Sequence, residues 1–560
     1  MWCFAPSLTV LSVATLALAP TTPVPHPTPD HRFGVCVDTP LRIAFDQPPV
    51  PGSSGAITVH RADGSIADRI DLADPASAEK NIGGALSDTG LPHEFHYQPV
   101  TVDGDTATIT PHHELDPGQT YYVTVDPGVF TGFAGISDPH AWRFTTRHEP
   151  RPGADHLVVA VDGSGDFCTV QGAIDAVPLG NTHQVHIDVR PGTYDEIDYI
   201  RPDRSHIAIT GAGADRTIIQ YTNNNNLNGD TALVNGGPAD VCPRRVLAVP
   251  DIHNCWRALF GVDADDVTLT DLTLHNTTPF GGTQAEAFRG NGQHITLDRV
   301  VLSSFQDTLR LQGDGFVTDS TIIGDVDFVW GTGTAFVQDS TLESAHAGFV
   351  TQIRNDANHN GDVFLRDRLT RAPGVADGTV YLGRIQTDRF PFSQAVYLDT
   401  TMDTHIIPVG WQITPNDCTL APNLSDWEHH STDSTGGPVN VGGRLPCSRQ
   451  LDDATAAAWS DPGFVLGGWV PTTVNAGPTG NVRTWTVRWT ATPGHSPADA
   501  IVACRAVWLC WPVAHVSTTA DTGATTVTLP PLPGRYVFGY RIAGGRVQAT
   551  SAPVTVTRGR

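Results

Sequence analysis

The middle of the chain repeats one pattern of apolar and polar positions. Five segments, which begin at residues 267, 295, 316, 336 and 363, follow the order apolar-x-apolar-x-Asp-x-x-apolar: VTLTDLTLHN, ITLDRVVLSS, FVTDSTIIGD, FVQDSTLESA and VFLRDRLTRA. Their period of about 20 to 28 residues is that of a coil repeat, and no single coil buries its own inner face. We therefore predict a right-handed parallel β-helix over residues 150–471. Further antiparallel sandwiches are the alternative, but hairpin turn signals are missing and the Asp recurs at one place in each unit.

The flanking segments show a different pattern of short alternating strands between Gly, Pro and Asp turns, which is typical of β-sandwiches. Residues 33–148 contain LRIAFD, AITVHRADG, TYYVTVDPG and HAWRFTTR, and they resemble bacterial Ig-like modules. Residues 473–560 contain TWTVRWTATP, RYVFGYRIAGG and APVTVT, and they look like another Ig-like or fibronectin-like sandwich. The predicted fold class is thus all-β, with the β-helix between two Ig-like modules. In the second module Trp508 and Trp511 are either core aromatics or an exposed platform for sugar stacking.

The segment VVAVDGSGDFCTVQGAIDAVP, which starts at Val158, predicts a strand, a Gly-rich turn and one amphipathic helix. Val170, Ile174 and Val177 share one face of that helix. The GSG is not a dinucleotide fingerprint, because no G-x-G-x-x-G opens the helix and no acidic strand end follows at the right distance.

The N-terminus reads as a targeting segment. Residues 1–24 form a short apolar run that ends in small residues, which is typical of a secretory signal peptide, although a buried N-terminal helix is the alternative. Residues 25–32 read as a Pro/His linker. We find no other stretch long and apolar enough to span a bilayer. The sequence therefore predicts a secreted, extracellular protein.

Net charge limits the possible partners, and an exported chain would permit disulfides. The net charge of -25 argues against nucleic acid or an anionic membrane as a partner. If Cys3 leaves with the signal peptide, an even number of the nine cysteines remains. Sequence alone does not fix disulfide connectivity, but three close pairs are plausible and Cys36 and Cys168 would be left over. The three pairs are Cys242 with Cys255, Cys418 with Cys447, and Cys504 with Cys510. No C-x-x-C is present, so we predict no zinc site.

Residues 284–331 hold the candidate chemistry. Asp307 and Asp327 are about one coil apart, as are Gln284 and Gln306, so each pair should stack at a spacing of about 5 Å. Two carboxylates this close do not both ionise easily, which makes one an acid and the other a nucleophile. Carboxamide N–H groups stabilise an oxyanion, and Arg384, two or three coils further on, would keep one carboxylate ionised. These groups suit ester hydrolysis by an aspartyl nucleophile without serine or metal.

At these residues the chain resembles the pectin methylesterase family. The matching segments span about residues 155–471, and QDTL, VDFVWG and YLGR are the most specific of them. The resemblance implies a parallel β-helix without a cofactor that removes methyl esters from polygalacturonan. Carried over by motif, Asp327 is the nucleophile, Asp307 the general acid and base, and Arg384 the orienting arginine. Gln284 and Gln306 are the oxyanion glutamines.

The chain departs from the family pattern around the sugar cleft. Where the family usually reads Gly-Arg-Pro-Trp, this chain has Ile385 and Gln386 after the arginine, and Arg310 replaces the tyrosine that often follows QDTL. We expect Phe280, Trp330 and Trp411 to supply stacking faces instead, with Gln386 also in contact with substrate.

The expected partner is pectin, and the protein is expected to be monomeric. Three alternatives remain open. A polysaccharide lyase on the same scaffold would need clustered calcium ligands. A glycosidase would use carboxylates but would not need the paired glutamines. An adhesive or pectin-binding protein would use the β-helix as a stalk. A hydrolase of another ester would follow from altered sugar subsites.

Overall fold

The computed structural model describes residues 26–87, 90–148, 153–229, 233–234, 237–238, 256–491, 496, 498–505, 510–515, 522–543 and 547–557. The predicted signal peptide, the Cys242–Cys255 pair and Trp508 lie outside these residues. Among the helices that are described, none has the length and apolar character needed to cross a membrane.

The N-terminal module is a sandwich of two sheets. Eleven strands form it: β1 His26–Thr28, β2 Arg32–Val35, β3 Leu41–Ala44, β4 Ala56–Arg61, β5 Ile66–Asp71, β6 Glu79–Lys80, β7 Phe95–His96, β8 Val100–Asp103, β9 Thr106–Ile109, β10 Thr120–Val125 and β11 Arg143–Thr146. One sheet has the order β1-β3-β9-β8 and the other β2-β11-β10-β4-β5, while β6 and β7 form a hairpin. A 3-10 turn spans Pro75–Ala78. The apolar residues on the facing sides of the two sheets pack around Trp142, which is fully buried.

The interpretation of residues 25–32 as a linker is wrong for the described part of that segment. Strand β1 lies within it and pairs with β3 at the edge of its sheet, and β2 begins at Arg32. An edge strand tolerates Pro27 because the missing N–H faces away from the ladder. The Pro-rich composition of this segment therefore does not exclude strand pairing.

The central domain consists of stacked coils. Its strands are β12 His156–Val159, β13 Val185–Val189, β14 Gly192–Asp195, β15 Asp198–Ile200, β16 Ile207–Thr210, β17 Thr217–Tyr221, β18 Leu233–Val234, β19 Gly237–Pro238, β20 Phe260–Val262, β21 Val267–Thr270, β22 Thr273–Asn276, β23 Phe288–Gly290, β24 Ile295–Asp298, β25 Val301–Ser303, β26 Leu309–Leu311, β27 Asp314–Thr318, β28 Thr321–Gly331, β29 Thr334–Gln338, β30 Thr341–Ile353, β31 Asp362–Leu365, β32 Arg368–Arg371, β33 Val380–Gln386, β34 Gln394–Leu398, β35 Thr401–Met402, β36 Trp411–Thr414, β37 Ser425–His429, β38 Thr432–Asp433 and β39 Arg449–Gln450.

Apart from β18 and β19, which form a separate antiparallel pair, these strands build three parallel faces. The first face is an 11-stranded sheet that runs from β12 to β39. The second runs from β14 through β17, β22 and β25, and the third from β15 through β20, β23 and β26. The second and third faces share the long strands β28 and β30, which bend from one into the other. Inward apolar side chains of all coils form one continuous core. The predicted parallel β-helix is confirmed.

A charged residue marks one corner of each coil, at the recurring Asp of the sequence pattern or directly next to it. Register places Asp271, Arg299, Asp319, Asp339, Arg366 and Asp399 one above another directly after first-face strands. Each has a left-handed φ between 50° and 57°, which Asp tolerates better than most residues. We call these six residues the corner column. Within it, oppositely charged neighbours pair, as Asp271 does with Arg299 at 2.9 Å.

Short helices close the β-helix. Helix α1 (Val170–Asp175) lies over the first coils with Thr169 as its N-cap and buries Val170 and Ile174, whereas Val177, predicted on the same helix face, is buried just after the helix ends. Helix α2 (Asn225–Asn228) follows β17. Helices α3 (Asp453–Trp459) and α4 (Pro462–Val465) cover the outside of the first face. Two 3-10 turns span Cys418–Leu420 and Val441–Gly443.

The N-terminal module is attached to the end of the β-helix that α1 covers. Cys36 forms a disulfide with Cys168, and the Asp38 carboxylate accepts from the backbone N–H groups of Cys168 and Thr169 at 3.0 and 2.7 Å. The expectation that both cysteines would be left over is wrong, because a pairing between modules has no signature in local spacing. The predicted pairs Cys418–Cys447 and Cys504–Cys510 are present.

The C-terminal module is a second sandwich, formed by β40 Thr473–Pro478, β41 Thr484–Thr490, β42 Ala500–Cys504, β43 Cys510–His515, β44 Thr522–Thr528, β45 Gly534–Arg541, β46 Val547–Thr550 and β47 Val554–Val556. Trp511 packs edge-on against Tyr536 at the border of its core, which favours the interpretation as a core aromatic. The module contacts the corner column, where Arg299 donates to the carbonyl of Thr550 at 2.7 Å.

Candidate active site

The two central aspartates lie in successive coils, where the chain passes from the second face to the third. Gln306 and Val326 form a parallel bridge, and the Asp307 N–H donates to the Val326 carbonyl at 3.1 Å. This register sets Asp307 beside Asp327. Both are buried, and both have a left-handed backbone with φ of 64° and 51°. Such conformations in residues other than Gly are concentrated at functional sites.

The two glutamines occupy the same part of neighbouring coils. The Ala285 N–H donates to the Gln306 carbonyl at 3.2 Å, which places Gln284 next to Gln306. Both glutamines are half-buried. The two glutamines therefore occupy adjacent coils next to the carboxylate pair, and their role as oxyanion donors remains a prediction.

Arg384 reaches the site from β33, beyond β30. Its Nε donates to Asp327 Oδ1 at 2.8 Å and its Nη2 to Oδ2 at 2.6 Å. The guanidinium also lies over the ring of Phe349, 4.5 Å from its centroid. A bidentate pair fixes the carboxylate plane as well as its charge. The pair thus orients Asp327 and favours its ionised form.

The two carboxyl groups differ in their surroundings. The pKa of Asp307 is raised to about 7, mainly by burial and also by the charges of Glu286 and Asp327, while the charge of Arg257 acts in the opposite direction. Burial also raises the pKa of Asp327, but the hydrogen bonds and charge of Arg384 act in the opposite direction. Near neutral pH Asp307 is therefore suited to carry a proton, while Asp327 is suited to remain a carboxylate.

Several charged residues at the site were not singled out by the sequence pattern. Arg257 Nη2 donates to Asp307 Oδ2 at 2.6 Å, and Arg257 is also paired with Glu286. Arg354 acts through its charge on both aspartates. One signal was available in the sequence: Glu286 is the charged residue inside the otherwise uncharged QAEAF motif.

The structure separates the four predicted substrate contacts. Phe280 is 65% exposed and stacks on His346 with ring centroids 3.8 Å apart, and Gln386 is also exposed, so both remain predictions. Trp411 is 2% exposed and packs against Tyr397 in the core. Trp330 is 5% exposed, with the guanidinium groups of Arg310 and Arg354 over its ring. The prediction that these two tryptophans offer stacking faces is wrong.

Two groups among the described residues have ligand atoms close enough to hold a metal ion. In one, Cys36 and Cys168 are joined in a disulfide beside Asp38. The other consists of Asp399, His429 and His430 near the last coils. Neither includes a residue of the aspartate pair.

Comparison with known families decides the assignment. The family model described as Pectinesterase matches residues 156–241 and 241–430, and the one described as Bacterial Ig-like domain matches residues 17–146. Pectinesterase 31 of Arabidopsis thaliana is 31% identical over 310 residues, which are 55% of this chain and 91% of that protein.

The chain belongs to the pectinesterase family. Pectinesterases are carboxylic ester hydrolases, and the five predicted catalytic residues all fall within the second matched range of the pectinesterase model. The chain spans smaller parts of other relatives. It is 28% identical to Probable pectinesterase/pectinesterase inhibitor 17 of Arabidopsis thaliana and covers 59% of it, with 57% of this chain aligned.

Solved pectinesterase structures are also similar to the chain. A pectin methylesterase from carrot has a TM-score of 0.47 at 23% identity, with 57% of this chain and 95% of that chain covered. A pectin methylesterase from Erwinia chrysanthemi has a TM-score of 0.46 at 24% identity, with 58% and 99% covered.

Proposed function

We propose that the β-helix of this pectinesterase removes methyl esters from polygalacturonan, with Asp327 as nucleophile and Asp307 as general acid and base. The observation that carries the proposal is the bidentate pair between Arg384 and Asp327, at 2.8 and 2.6 Å, beside a second buried carboxyl group in the preceding coil. An oriented carboxylate and a proton carrier are the two groups that aspartyl ester hydrolysis requires.

In the first half of the cycle, the Asp327 carboxylate attacks the ester carbonyl carbon. The carbonyl oxygen becomes an oxyanion, which Gln284 and Gln306 stabilise through their side-chain N–H groups. The bond to the methoxy group then breaks, and protonated Asp307 gives its proton to the leaving oxygen. Methanol leaves, and an anhydride joins Asp327 to the sugar carboxyl group.

In the second half, the Asp307 carboxylate takes a proton from water, whose oxygen attacks the carbonyl carbon that came from the substrate. The bond to Asp327 breaks, and Asp327 returns as a carboxylate. The free galacturonic acid leaves and ionises in solution. Asp307 ends protonated, as it began, so no cofactor is consumed.

We further propose that the protein acts outside the cell on pectin as a monomer, after cleavage of residues 1–24. The apolar N-terminal run and the three disulfides among the described residues support export. The mature N-terminus of protein collected from culture medium tests this. A sequence that starts near residue 25 is expected, and an intact Met1 would contradict it.

The decisive experiment measures methanol release from highly methylated pectin with EDTA present. Asp327→Asn should abolish release, while Asp339→Asn should leave it unchanged, because Asp339 lies in the corner column with a matching backbone. Loss of release in EDTA alone, or equal activity in both variants, would contradict a metal-free aspartyl mechanism. Thermal melts of the variants exclude misfolding as the cause.

A second candidate substrate class is a different methyl ester. The burial of Trp330 and Trp411 and the exposure of Gln386 in place of an aromatic residue favour it, because sugar rings lose those stacking partners. Comparison of methylated pectin with methyl esters of small carboxylic acids tests this. A higher kcat/KM on the small esters, still lost in Asp327→Asn, would replace pectin as the substrate.

A further inference from the structure

Asp307 rests against a buried group of charges that has no part in the cycle above. Arg257 is 3% exposed, and Glu286 and Arg310 are fully buried. Arg257 comes from the segment before β20, Glu286 from the segment before β23, and Arg310 from β26. We call Arg257 and Glu286 the buried pair. Charges are rarely placed inside a β-helix without a partner or a function.

The buried pair fixes the Arg257 guanidinium on several sides. Its Nε donates to both Glu286 oxygens at 3.0 and 2.8 Å, and its Nη2 donates to Oε1 at 2.9 Å. Its Nη1 donates to Asn225 Oδ1 at 3.1 Å. Because the guanidinium is planar and rigid, these contacts leave Nη2 aimed at Asp307 Oδ2, 2.6 Å away.

The same pair balances the charge that acts on Asp307. Arg257 and Arg354 stabilise the ionised form, whereas burial, Glu286 and Asp327 stabilise the protonated form. Arg310 lies on the other side of Glu286 at 3.9 Å. Loss of Glu286 would favour the ionised form, which does not protonate methoxide, and loss of Arg257 would favour the protonated form, which does not take a proton from water.

We propose that Arg257 and Glu286 are positioning residues that orient the Asp307 carboxyl group and hold it poised between giving and accepting a proton. The proposal rests on the role of Asp307 in the proposed function. It extends that role to Arg257, which touches the acid, and to Glu286, which holds Arg257 in place, and it explains why a charged residue stands inside the QAEAF motif.

The two members of the pair should act in opposite directions on the pH profile of kcat/KM, whose alkaline limb reports deprotonation of Asp307. Arg257→Gln removes a nearby opposite charge and should move this limb upward by about 1 to 3 pH units. Glu286→Gln removes a like charge and should move it downward. Arg257→Lys keeps the charge but not the fork, so it should lower kcat with a smaller movement of the limb.

A purely structural pair would lower stability or kcat in all three variants and leave the limb in place, which would overturn the proposal. If Arg257→Gln does not fold, Glu286→Gln decides, since it leaves Arg257 with Asp307 as a partner. A limb that stays in place or moves upward in folded Glu286→Gln contradicts the proposal.

Titration of the resting protein separates this proposal from the proposed function. The Asp307 carboxyl band is identified in infrared spectra of protein with ¹³C-labelled aspartate, by difference from Asp307→Asn. Its midpoint should fall in Glu286→Gln and rise in Arg257→Gln, whether or not methanol is released. Unchanged midpoints overturn the buried pair's role, whereas shifted midpoints without methanol release overturn only the esterase assignment.

Discussion

Two arginine–aspartate pairs in this molecule have the same local geometry and different surroundings. In the corner column, Asp339 has a φ of 52° and accepts from Arg366 at 2.8 and 2.6 Å. In the active site, Asp327 has a φ of 51° and accepts from Arg384 at 2.8 and 2.6 Å. The Asp339 side chain is 34% exposed, whereas that of Asp327 is 7% exposed.

Because the same geometry occurs at both places, the arginine–aspartate pair is a recurring structural element of the β-helix. The two pairs differ in burial. A left-handed corner accepts Asp, and a later coil supplies the arginine, which is the next coil for Asp339 and the second coil on for Asp327. Withdrawal from water changes what the pair does, since charges interact more strongly where solvent does not screen them. Under the proposed mechanism, catalysis depends on burial of a geometry that the fold already uses elsewhere.

Substitution of Asp307 should have the largest effect on activity. In the proposed mechanism Asp307 carries the proton beside Asp327, and no group beside Asp339 takes part, so Asp307 distinguishes the two pairs. Asp307→Asn removes the proton carrier and should lower kcat by about 10²- to 10⁴-fold, the usual contribution of general acid–base catalysis. Methanol release at saturating pectin measures it. A kcat within twofold of the wild-type value would assign proton transfer to another group.

Substitution of the arginines in the two pairs, Arg384 and Arg366, should give the next largest difference in activity. Arg384→Lys loses one of two charged hydrogen bonds and should lower kcat/KM by about 10- to 100-fold, since such a bond is worth about 1.5–3 kcal/mol. The charge and bonds of Arg384 lower the pKa of Asp327, so the acidic limb of the profile should move to higher pH. The matched variant Arg366→Lys should change neither quantity. Equal losses in both variants would mean that the pairs differ only in position.

The pH profile of the unmodified protein sharpens the contrast. Asp307 must begin protonated, and its pKa is raised to about 7. The kcat/KM should therefore fall about tenfold for each pH unit above about 7, as expected for one essential proton. Initial rates between pH 5 and 9 measure this. Activity that keeps rising beyond pH 8 would show that Asp307 is not the acid.

The smallest effect is expected in the corner column. Arg366→Ala breaks a solvent-exposed pair and should reduce the free energy of unfolding by no more than about 1 kcal/mol, the usual range for surface ion pairs. Methanol release should be unchanged. Denaturant unfolding measures the difference, and a loss of several kcal/mol would show that the column is a main support of the coils.

The β-helix could be predicted from the sequence because the repeat that defines it is local. Each coil carries its own apolar alternation and its own corner residue, so the β-helix could be read from segments of about ten residues. The stacking of Asp307 with Asp327 and of Gln284 with Gln306 follows from the same period. Arg384 was found through its motif, since β30 and an irregular coil separate it from Asp327.

Burial on a particular face was harder to predict. In β36 the burial alternates, so Trp411 faces inward while its neighbour Gln412 is exposed. A shift by one residue reverses such an assignment, and residue type alone does not reveal it. Arg257 escaped notice for another reason, because its contacts with Asp307 and Glu286 join three coils of unequal length.

The disulfide between Cys36 and Cys168 has a consequence for how the protein withstands proteases. A single cut in the peptide between these two cysteines would yield two polypeptides that remain one covalent particle. The Ig-like module would stay on the capped end of the β-helix, with Asp38 still bound to the start of α1. Damage of this kind would be visible on a reducing gel and invisible in the size of the native protein.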